Sequence, residues 1–424
     1  MREMKDSGIE WIGEIPKEWS IVPHKRIMHK VKEICEHYNG EDIISLTMNG
    51  VIKRDLTAGG KMPTSFDGYQ YVEPEDLLLC LFDIDVTPRC VGIVRDYGVT
   101  SPAYSRFRVH DGYSNKYFDY LLRAIDDDKV FVHLSKNLRS SLTETDFGAI
   151  KTCVPPIDEQ EHISEFLDSE CAEIDAVLEK TRASIDEYKK LKQSVITQAV
   201  TKGIRGDRPM KDSGIEWTSS IPYDVSISRI GLHFNIILGK MLCLTPLDET
   251  YTLESYYCAA DVHFEGISKG EKKRMWFNPT EKQQYLVNNG DLLVVEGGAG
   301  AGGCAIVREN DKQMFIQNSI MIVRPKEQSS TRYLRYLMEC FVKQGYIDVV
   351  CNKATIPHFT KDKLSTMPYI VFSVDEQKEI ADYLDVKCAE IDNLISKKEQ
   401  YITEIENYKK SLIYEYVTGK KEVD

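Results

Sequence analysis

The spacing of apolar residues predicts two long helices, one in the middle of the chain and one at its end. Apolar side chains recur at steps of three, four and seven from Ile163 to Val195 and again from Ile380 to Leu412. Such steps place a single apolar stripe along one face of an α-helix. The two segments, 158–201 and 375–418, align without gaps and are identical at 19 of 44 positions. Each helix, about 45 residues long, would measure roughly 65 Å.

A stripe on one face of a long helix cannot be buried within that helix. The two helices are therefore expected to pack on each other as an antiparallel coiled coil, or on a partner. A helical hairpin of no special function is the alternative, but the duplication argues against it. The stripe residues predicted to form this scaffold are Ile163, Leu167, Ile174, Leu178, Ile185, Ile380, Leu384, Ile391, Ile395 and Ile402.

A second repeat opens each half of the chain. The octapeptide MKDSGIEW occurs at Met4–Trp11 and again at Met210–Trp217, and the similarity extends to 12 identities in 18 positions. We call these two 18-residue segments, 4–21 and 210–227, the tags. The chain therefore reads as tag, block and helix, followed by tag, block and helix.

The two blocks between tags and helices, residues 20–157 and 226–374, hardly match each other. Both are rich in β-strand patterns at their centres, at Val72–Val94 and Val287–Val307. Each of these segments shows a polar turn that ends in Asp, an apolar strand, a loop and a further strand. Two equivalent scaffolds are thus predicted to carry two diverged modules.

Composition allows several domains and does not exclude a nucleic-acid partner. The chain has 424 residues and a net charge of −13, and its length favours two or three domains. However, the blocks are nearly neutral, with 17 basic against 19 acidic residues in the first and 17 against 15 in the second. The remaining segments hold 20 basic against 33 acidic residues. Local basic patches in the blocks can therefore still bind a polyanion.

Cysteine usage and hydropathy point to the cytoplasm. The eleven cysteines are an odd number without a CxxC pair, which favours reduced thiols over a disulfide framework or a metal site. No run approaches the roughly 18 apolar residues of a membrane span, and the first residues lack the apolar core of a secretory signal. We expect no membrane association and a cytoplasmic location.

Motifs of catalysis are lacking in the sequence. The stretch GAGAGG at Gly298–Gly303 fits G-x-G-x-x-G, but the residues after it, CAIV, predict a strand rather than a helix. A dinucleotide site needs a helix N-terminus there, so a Gly-rich β-loop is favoured and a nucleotide-binding enzyme is the weaker alternative. P-loop, HExxH and amino-methyltransferase motifs do not occur. We expect a non-catalytic chain with no metal site.

Basic residues in the blocks are the candidates for DNA contact. Lys269–Trp276, KGEKKRMW, combines four cations with an aromatic residue, as phosphate-binding loops do. Other cations lie at a predicted strand end and at matching positions some twenty residues before each long helix. A solvated surface cluster is the alternative for each. The candidates are Lys53, Arg54, Lys136, Arg139, Lys269, Lys272, Lys273, Arg274 and Lys353.

The order of these motifs resembles the specificity subunit of type I restriction–modification enzymes. The resemblance rests on the tag SGIEWIGEIPKEW, on VPPIDEQ at the start of the first helix, on GDLL before the central strand of the second block, and on the duplication. It covers essentially the whole chain. The second copy departs from the pattern where Val225 replaces Trp19 and where PYIVFSVDEQ lacks the double proline, so looser packing is expected there.

The resemblance implies an α+β fold with a pseudo-two-fold internal repeat. Two target-recognition domains, mixed and rich in β-structure, would be separated by two long antiparallel helices that form a coiled coil. The implied divisions are 1–154 for the first tag and recognition domain, 155–205 for the first helix, 206–371 for the second tag and recognition domain, and 372–424 for the second helix.

The resemblance also implies a function for the duplicated scaffold. The two recognition domains would read the two halves of an asymmetric, bipartite sequence in double-stranded DNA. Two methyltransferase subunits, and possibly two restriction subunits in addition, would dock on the chain. These partners would bring S-adenosylmethionine, ATP and Mg²⁺, methylating adenine and cleaving DNA, while this chain would hold no cofactor. A coiled-coil adaptor with two protein-binding modules is the alternative.

If the helices set the distance between two half-sites, their length should control the gap in the recognised sequence. Deleting a whole number of residues from one of the two helices should change the gap and leave both half-sites unchanged. Sequencing of DNA selected by the assembled complex would measure this. An altered half-site with an unchanged gap would contradict the prediction.

Overall fold

The computed structural model describes residues 2–57, 63–135, 140–215, 217–308, 313–351 and 358–423. The chain divides into two compact units. Unit 1 comprises Met1–Arg182 with Glu399–Asp424, and unit 2 comprises Ala183–Lys398. Each unit therefore contains one tag, one block, and parts of both long helices.

The first half of the chain is built from short strands followed by helices. Its strands are β1 (Met4–Asp6), β2 (Glu14–Pro16), β3 (Ser20–Pro23), β4 (Met28–Val31), β5 (Ile44–Thr47), β6 (Gly50–Lys53), β7 (Gln70–Val72), β8 (Leu77–Leu79), β9 (Val91–Ile93), β10 (Gly98–Thr100), β11 (Ser105–Val109) and β12 (Lys151–Val154). Its helices are α1 (Asn115–Asp127), α2 (Val130–Leu134), α3 (Glu144–Ala149) and α4 (Ile157–Lys202).

The second half follows the same order with additional strands. Its strands are β13 (Met210–Ile215), β14 (Thr218–Pro222), β15 (Ser226–Arg229), β16 (Phe234–Leu238), β17 (Thr252–Tyr257), β18 (Val262–His263), β19 (Gly266–Ile267), β20 (Arg274–Phe277), β21 (Leu292–Val295), β22 (Cys304–Ile306), β23 (Phe315–Ile316), β24 (Ile320–Pro325) and β25 (Pro368–Val371). Its helices are α5 (Ile230–His233), α6 (Pro279–Tyr285), α7 (Thr331–Lys343), α8 (Tyr346–Cys351), α9 (Lys361–Thr366) and α10 (Val374–Val417).

An antiparallel four-stranded sheet forms the centre of each block. The strand order is β4-β11-β8-β9 in unit 1 and β16-β24-β21-β22 in unit 2. In both sheets an Asp just before the central strand binds an Arg of its neighbour: Asp76 binds Arg106, and Asp291 binds Arg324. Two blocks without evident sequence similarity therefore fold around the same sheet.

The two long helices run antiparallel within each unit. In unit 1, Asp175 and Arg182 of α4 pair with Lys409 and Glu406 of α10, each at 2.6 Å. In unit 2, Lys192 of α4 pairs with Asp392 of α10, and Arg205, three residues after the end of α4, pairs with Glu379 nearer the start of α10. This confirms the predicted antiparallel arrangement.

Burial of the apolar stripes stabilises this pairing more than the ion pairs do. An exposed ion pair contributes about 0–1 kcal/mol, whereas burying one Leu or Ile side chain contributes about 1.5–3 kcal/mol. Eight of the ten predicted stripe residues are buried, and Ile395 and Ile402 are half-buried. The buried members are Ile163, Leu167, Ile174, Leu178, Ile185, Ile380, Leu384 and Ile391.

Each tag is fixed to the start of the long helix that closes its own half. Arg2, two residues before the first tag octapeptide, makes an ion pair with Glu159 of α4, and Arg208 makes the equivalent pair with Glu376 of α10. In unit 1 the indole of Trp19 also donates to Glu159 at 2.9 Å. The tag thus joins the block to the first turn of the helix.

The second junction is buried although its tag lacks the Trp of the first. Val225, which replaces Trp19, is buried, and so is Phe372 from the segment that lacks the double proline. Both belong to the same apolar cluster. The looser packing expected at this junction stays a prediction.

A buried tyrosine binds the end of the other long helix in each unit. Tyr117 of α1 donates to the carbonyl of Val417 at 2.8 Å, and Tyr333 of α7 donates to the carbonyl of Val200 at 2.9 Å. These bonds satisfy carbonyls that the last turn of a helix cannot pair internally. Both α1 and α7 are therefore tied to the helix pair of their own unit.

The close fit at the end of α10 predicts a sensitive glycine. Gly419 has φ of +70°, and a Cβ there would lie 2.6 Å from Pro16 Cγ and 3.0 Å from the Trp19 ring. Gly8 has a similar φ of +67° but nothing within 4 Å of such a Cβ. Both Gly→Ala changes carry backbone strain of about 1 kcal/mol, so any further loss of stability in Gly419→Ala reports the clash.

We expect Gly419→Ala to lower the free energy of unfolding by about 1–3 kcal/mol more than Gly8→Ala does. Thermal or denaturant unfolding of the assembled complex would measure the difference. Equal losses for the two variants would contradict the packing of Trp19 and Pro16 against this helix end.

Candidate nucleic-acid interface

The predicted cations Lys53 and Arg54 lie at the end of the β5–β6 hairpin in unit 1. Lys53 is exposed and pairs with Asp42 at 2.5 Å, while Arg54 is half-buried and its amide donates to the Ile43 carbonyl. At the hairpin turn, the guanidinium of Arg89 donates a hydrogen bond to the carbonyl of Met48. This arrangement leaves the ammonium of Lys53 able to exchange Asp42 for a phosphate oxygen.

Apolar side chains are exposed on the same hairpin. Met48 is 73% exposed, and Ile52 and Leu56 are 44% and 46% exposed. We call Met48, Ile52, Lys53, Arg54 and Leu56 the hairpin patch. A surface that combines exposed aliphatic groups with cations can contact both the bases and the backbone of DNA.

In unit 2, the predicted cations form the segment before and within β20. Lys269 and Lys273 are exposed. Arg274 is exposed too, and one guanidinium nitrogen donates to the Leu253 carbonyl at 2.7 Å, which orients the group. Since guanidinium has five N–H donors, this bond leaves donors for a bidentate phosphate contact. We call residues 268–274 the basic loop.

Lys272 differs from its neighbours and is not an exposed phosphate ligand. Its ammonium binds the carboxylate of Asp261 at 2.6 Å and the carbonyl of Ser268 at 2.7 Å, and its side chain is only 13% exposed. Burial alone would raise the pKa of Asp261, but the Cys258 amide and the Lys272 ammonium hold this pKa below its ordinary value. Lys272 is therefore held within the basic loop by Asp261 and Ser268, and its contact with DNA stays a prediction.

An exposed apolar segment lies beside the basic loop. Between β16 and β17, Met241, Leu242, Leu244 and Leu247 are 75%, 52%, 69% and 79% exposed. We call residues 241–247 the apolar loop. Its backbone is joined to the outer edge of β20 by a hydrogen bond of 2.9 Å from the Trp276 amide to the Cys243 carbonyl. The sequence analysis did not predict this loop. The run MLCLTPL was a signal for it, because its apolar residues follow neither the alternation of a strand nor the spacing of a helix.

The inner side of the basic loop faces an open cleft of about 2040 Å³ within unit 2. Lys269, Lys272 and Arg274 of the basic loop line this cleft, together with Lys192, Arg332, Asp385 and Asp392. Asp385 pairs with Arg332 and Asp392 pairs with Lys192, so these carboxylates are largely neutralised within the cleft. Among the described residues, Lys273 and those of the apolar loop are not part of the cleft lining, so they are the part of this region that is most open to DNA.

Three of the predicted contact residues lie outside the described part of the chain. These are Lys136, Arg139 and Lys353. Their proposed contacts with DNA stay predictions.

The Gly-rich segment is a β-turn region, as the sequence predicted. Gly298–Gly303 connects β21 to β22, and these strands pair antiparallel, with Val294 opposite Cys304. Because a strand follows the loop, no helix N-terminus is available there for a pyrophosphate. The nucleotide-binding alternative is therefore not favoured.

Several other features concern the chemistry of the chain. The eleven cysteines are unpaired thiols, and nine of them are buried. Within the described ranges, no cluster of His, Cys, Asp and Glu is arranged to hold a metal ion. A search of the same residues found no helix with the length and apolarity of a membrane span.

Comparison with known proteins agrees with this architecture. Residues 270–407 match the family model described as the type I restriction modification DNA specificity domain. The MjaX type I restriction enzyme specificity subunit of Methanocaldococcus jannaschii is 23% identical over 440 aligned positions, covering 96% of this chain and 95% of that protein. The MjaVIII specificity subunit of the same organism is 24% identical and covers 65% of this chain and 63% of its own length.

Solved structures share the fold. A chain from a structural study of complex assembly and conformational transition of the type I R-M system has a TM-score of 0.71 at 14% identity, covering 96% of this chain and 99% of that one. The HsdS subunit from Thermoanaerobacter tengcongensis has a TM-score of 0.53 at 14% identity, with 96% and 98% covered. The duplicated scaffold, the matched domain and the relative aligned over nearly its whole length together make this chain similar to the type I restriction–modification specificity subunits.

Proposed function

We propose that this chain selects the DNA sequence on which a type I restriction–modification complex acts. Each unit reads one half of a bipartite target through its own block. The observation that carries the proposal is the contrast within the repeat. The junctions, the sheets and the helix pair recur in both units, whereas the exposed groups on the blocks differ.

The reading surfaces are the hairpin patch in unit 1, and the basic loop with the neighbouring apolar loop in unit 2. The cations Lys53, Lys269, Lys273 and Arg274 contact phosphates, which position a protein on the duplex. Because phosphate contacts release counterions, this part of the affinity depends on salt. Base selection then comes from the other exposed side chains on the same surfaces.

The repeated junctions suit two identical partners. Arg2 with Glu159 and Arg208 with Glu376 build the same structure twice, so one methyltransferase subunit binds each half. Restriction subunits can join this complex. S-adenosylmethionine, ATP and Mg²⁺ belong to those partners, and adenine methylation and DNA cleavage are their activities. This chain is non-catalytic in the proposal, and its unpaired cysteines suit the cytoplasm.

An adaptor that binds proteins through the two blocks is the competing function. Both functions use the helix pair as a scaffold, so assembly alone does not separate them. Binding of a defined DNA sequence by the assembled complex, with affinity that falls as salt rises, supports the proposal. Sequence-independent binding or none, by a complex shown to be fully assembled, supports the adaptor.

Single substitutions in the basic loop should separate phosphate ligands from a structural lysine. Lys273→Ala and Arg274→Ala should each weaken DNA binding and reduce the slope of log K against log salt by about one. Lys272→Ala should leave that slope unchanged and instead lower the thermal stability, because Asp261 loses its buried partner. DNA titrations at several salt concentrations, with melting curves, would measure both effects. A changed slope in Lys272→Ala with unchanged stability would reverse these assignments.

Exchange of one block should alter one half-site only. Replacing residues 20–157 with the corresponding block of another family member should change one half of the selected DNA sequence, because the junction and helix pair remain. Selection of bound DNA from a random library by the assembled complex would read out both halves. A change in both half-sites would show that the blocks do not read DNA independently.

A further inference from the structure

The apolar loop of unit 2 is built to stay exposed. Its four large side chains point away from the core in a unit whose other apolar residues are mostly buried. Exposing this much aliphatic surface is unfavourable by about 25 cal/mol per Å². Contiguous exposed apolar groups on a folded protein usually mark a binding surface.

The base of the loop is rigid. Lys240, just before it, is buried, pairs with Glu281 at 2.5 Å and lies over the rings of Tyr251 and Phe277 at 4.9 and 5.3 Å. Just after the loop, the carboxylate of Asp248 accepts from the Thr250 amide at 2.8 Å. Because the loop is anchored at Lys240 before its start and at the Cys243 carbonyl within it, its side chains are presented with a smaller ordering cost on binding.

The loop is also adjacent to cations. The Trp276 amide that binds Cys243 lies two residues along β20 from Arg274, a distance of about 7 Å along a strand. Lys273 precedes Arg274 and is exposed. Apolar side chains flanked by cations fit a DNA groove, where the cations meet phosphates and the aliphatic groups meet bases.

The equivalent segment of unit 1 has a different character. It follows β4 and reads KEICEHYNGEDI at residues 32–43. Cys35 and Ile43 there are buried in a small cluster with Val99, and the exposed groups include Glu33 and Glu36. A surface for two identical partner subunits would recur in both units, so the apolar loop belongs to what differs between them, namely the DNA sequence each one reads.

We propose that the apolar loop enters a groove of the DNA and wedges open a base step in the half-site read by unit 2. Met241, Leu242, Leu244 and Leu247 supply the wedge, while Lys273 and Arg274 hold the flanking phosphates. Side chains of this kind partly unstack a base step and kink the duplex, and flexible pyrimidine–purine steps yield most easily. Unit 2 therefore reads its half-site partly through deformability. This inference rests on the proposed function.

The test uses the complex assembled with its methyltransferase subunit and DNA carrying 2-aminopurine at successive positions of the half-site. The variant Leu244→Ser with Leu247→Ser removes apolar surface and no charge. Leu232→Ser with Val349→Ser is the matched control, because both of these residues are 68% exposed elsewhere in unit 2. Affinity, salt slope, fluorescence and the mass of the complex are measured for each.

We expect the loop variant to bind DNA about tenfold more weakly and to lose a fluorescence increase that the wild type and the control show at one step. Its salt slope and its assembly should not change. Unchanged affinity and fluorescence would overturn the wedge and leave the proposed function intact. Impaired assembly with the methyltransferase subunit would overturn it in favour of a protein-docking loop. A wild-type complex that selects no DNA sequence would instead overturn the proposed function.

Discussion

The rest of the structure depends on the mutual burial of two apolar stripes. A helix of 46 residues with one apolar face has nothing within itself against which to bury that face. Here α4 and α10 bury their stripes in both units, and the ion pairs between them fix their antiparallel direction. The tags and the tyrosines of α1 and α7 then attach each block to this pair. Once the helices are paired, a block can diverge in sequence as long as it keeps these attachments.

The two units keep the same arrangement of paired side chains, while the residue types at these positions differ. In α1, Asp119 pairs with Arg123 one turn later, and in α7 the equivalent pair, Arg335 with Glu339, has its charges exchanged. Burial raises the pKa of both Asp119 and Glu339. Neither carboxylate is therefore stabilised by water, and the charge of each is compensated by its neighbouring arginine. Both helices keep an ion pair between residues one helical turn apart, at equivalent positions. This pattern fits a scaffold whose structure is the same in both units and whose exposed surfaces differ between them.

The scaffold could be predicted from the sequence, because it repeats and its spacing is regular. The helices, their direction and the β-turn nature of Gly298–Gly303 were predicted and found. The equivalence of the blocks was predicted only at their centres, where each has an Asp before an apolar strand. The rest was not visible, since sheet pairing joins residues far apart and constrains few identities. One further local signal existed: Ser114–Leu122 and Ser330–Met338 share Ser, two Tyr and Leu at the same spacing, and Tyr117 and Tyr333 are the residues that bind the helix ends. The surfaces proposed to contact DNA were the hardest to predict, because they depend on which side chains are exposed in the folded chain. Lys272 and Lys273 are neighbours in sequence, yet one is tied to Asp261 and the other is exposed.

The central claim is that this chain, and not its partners, chooses the DNA sequence. A methylation map of DNA from cells that express the chain together with its methyltransferase subunit tests this most directly. The account predicts adenine methylation at a split sequence, on opposite strands in its two halves, which disappears when the chain is omitted. Methylation that is absent, or that is the same with and without the chain, although the partner is active and bound, would contradict it.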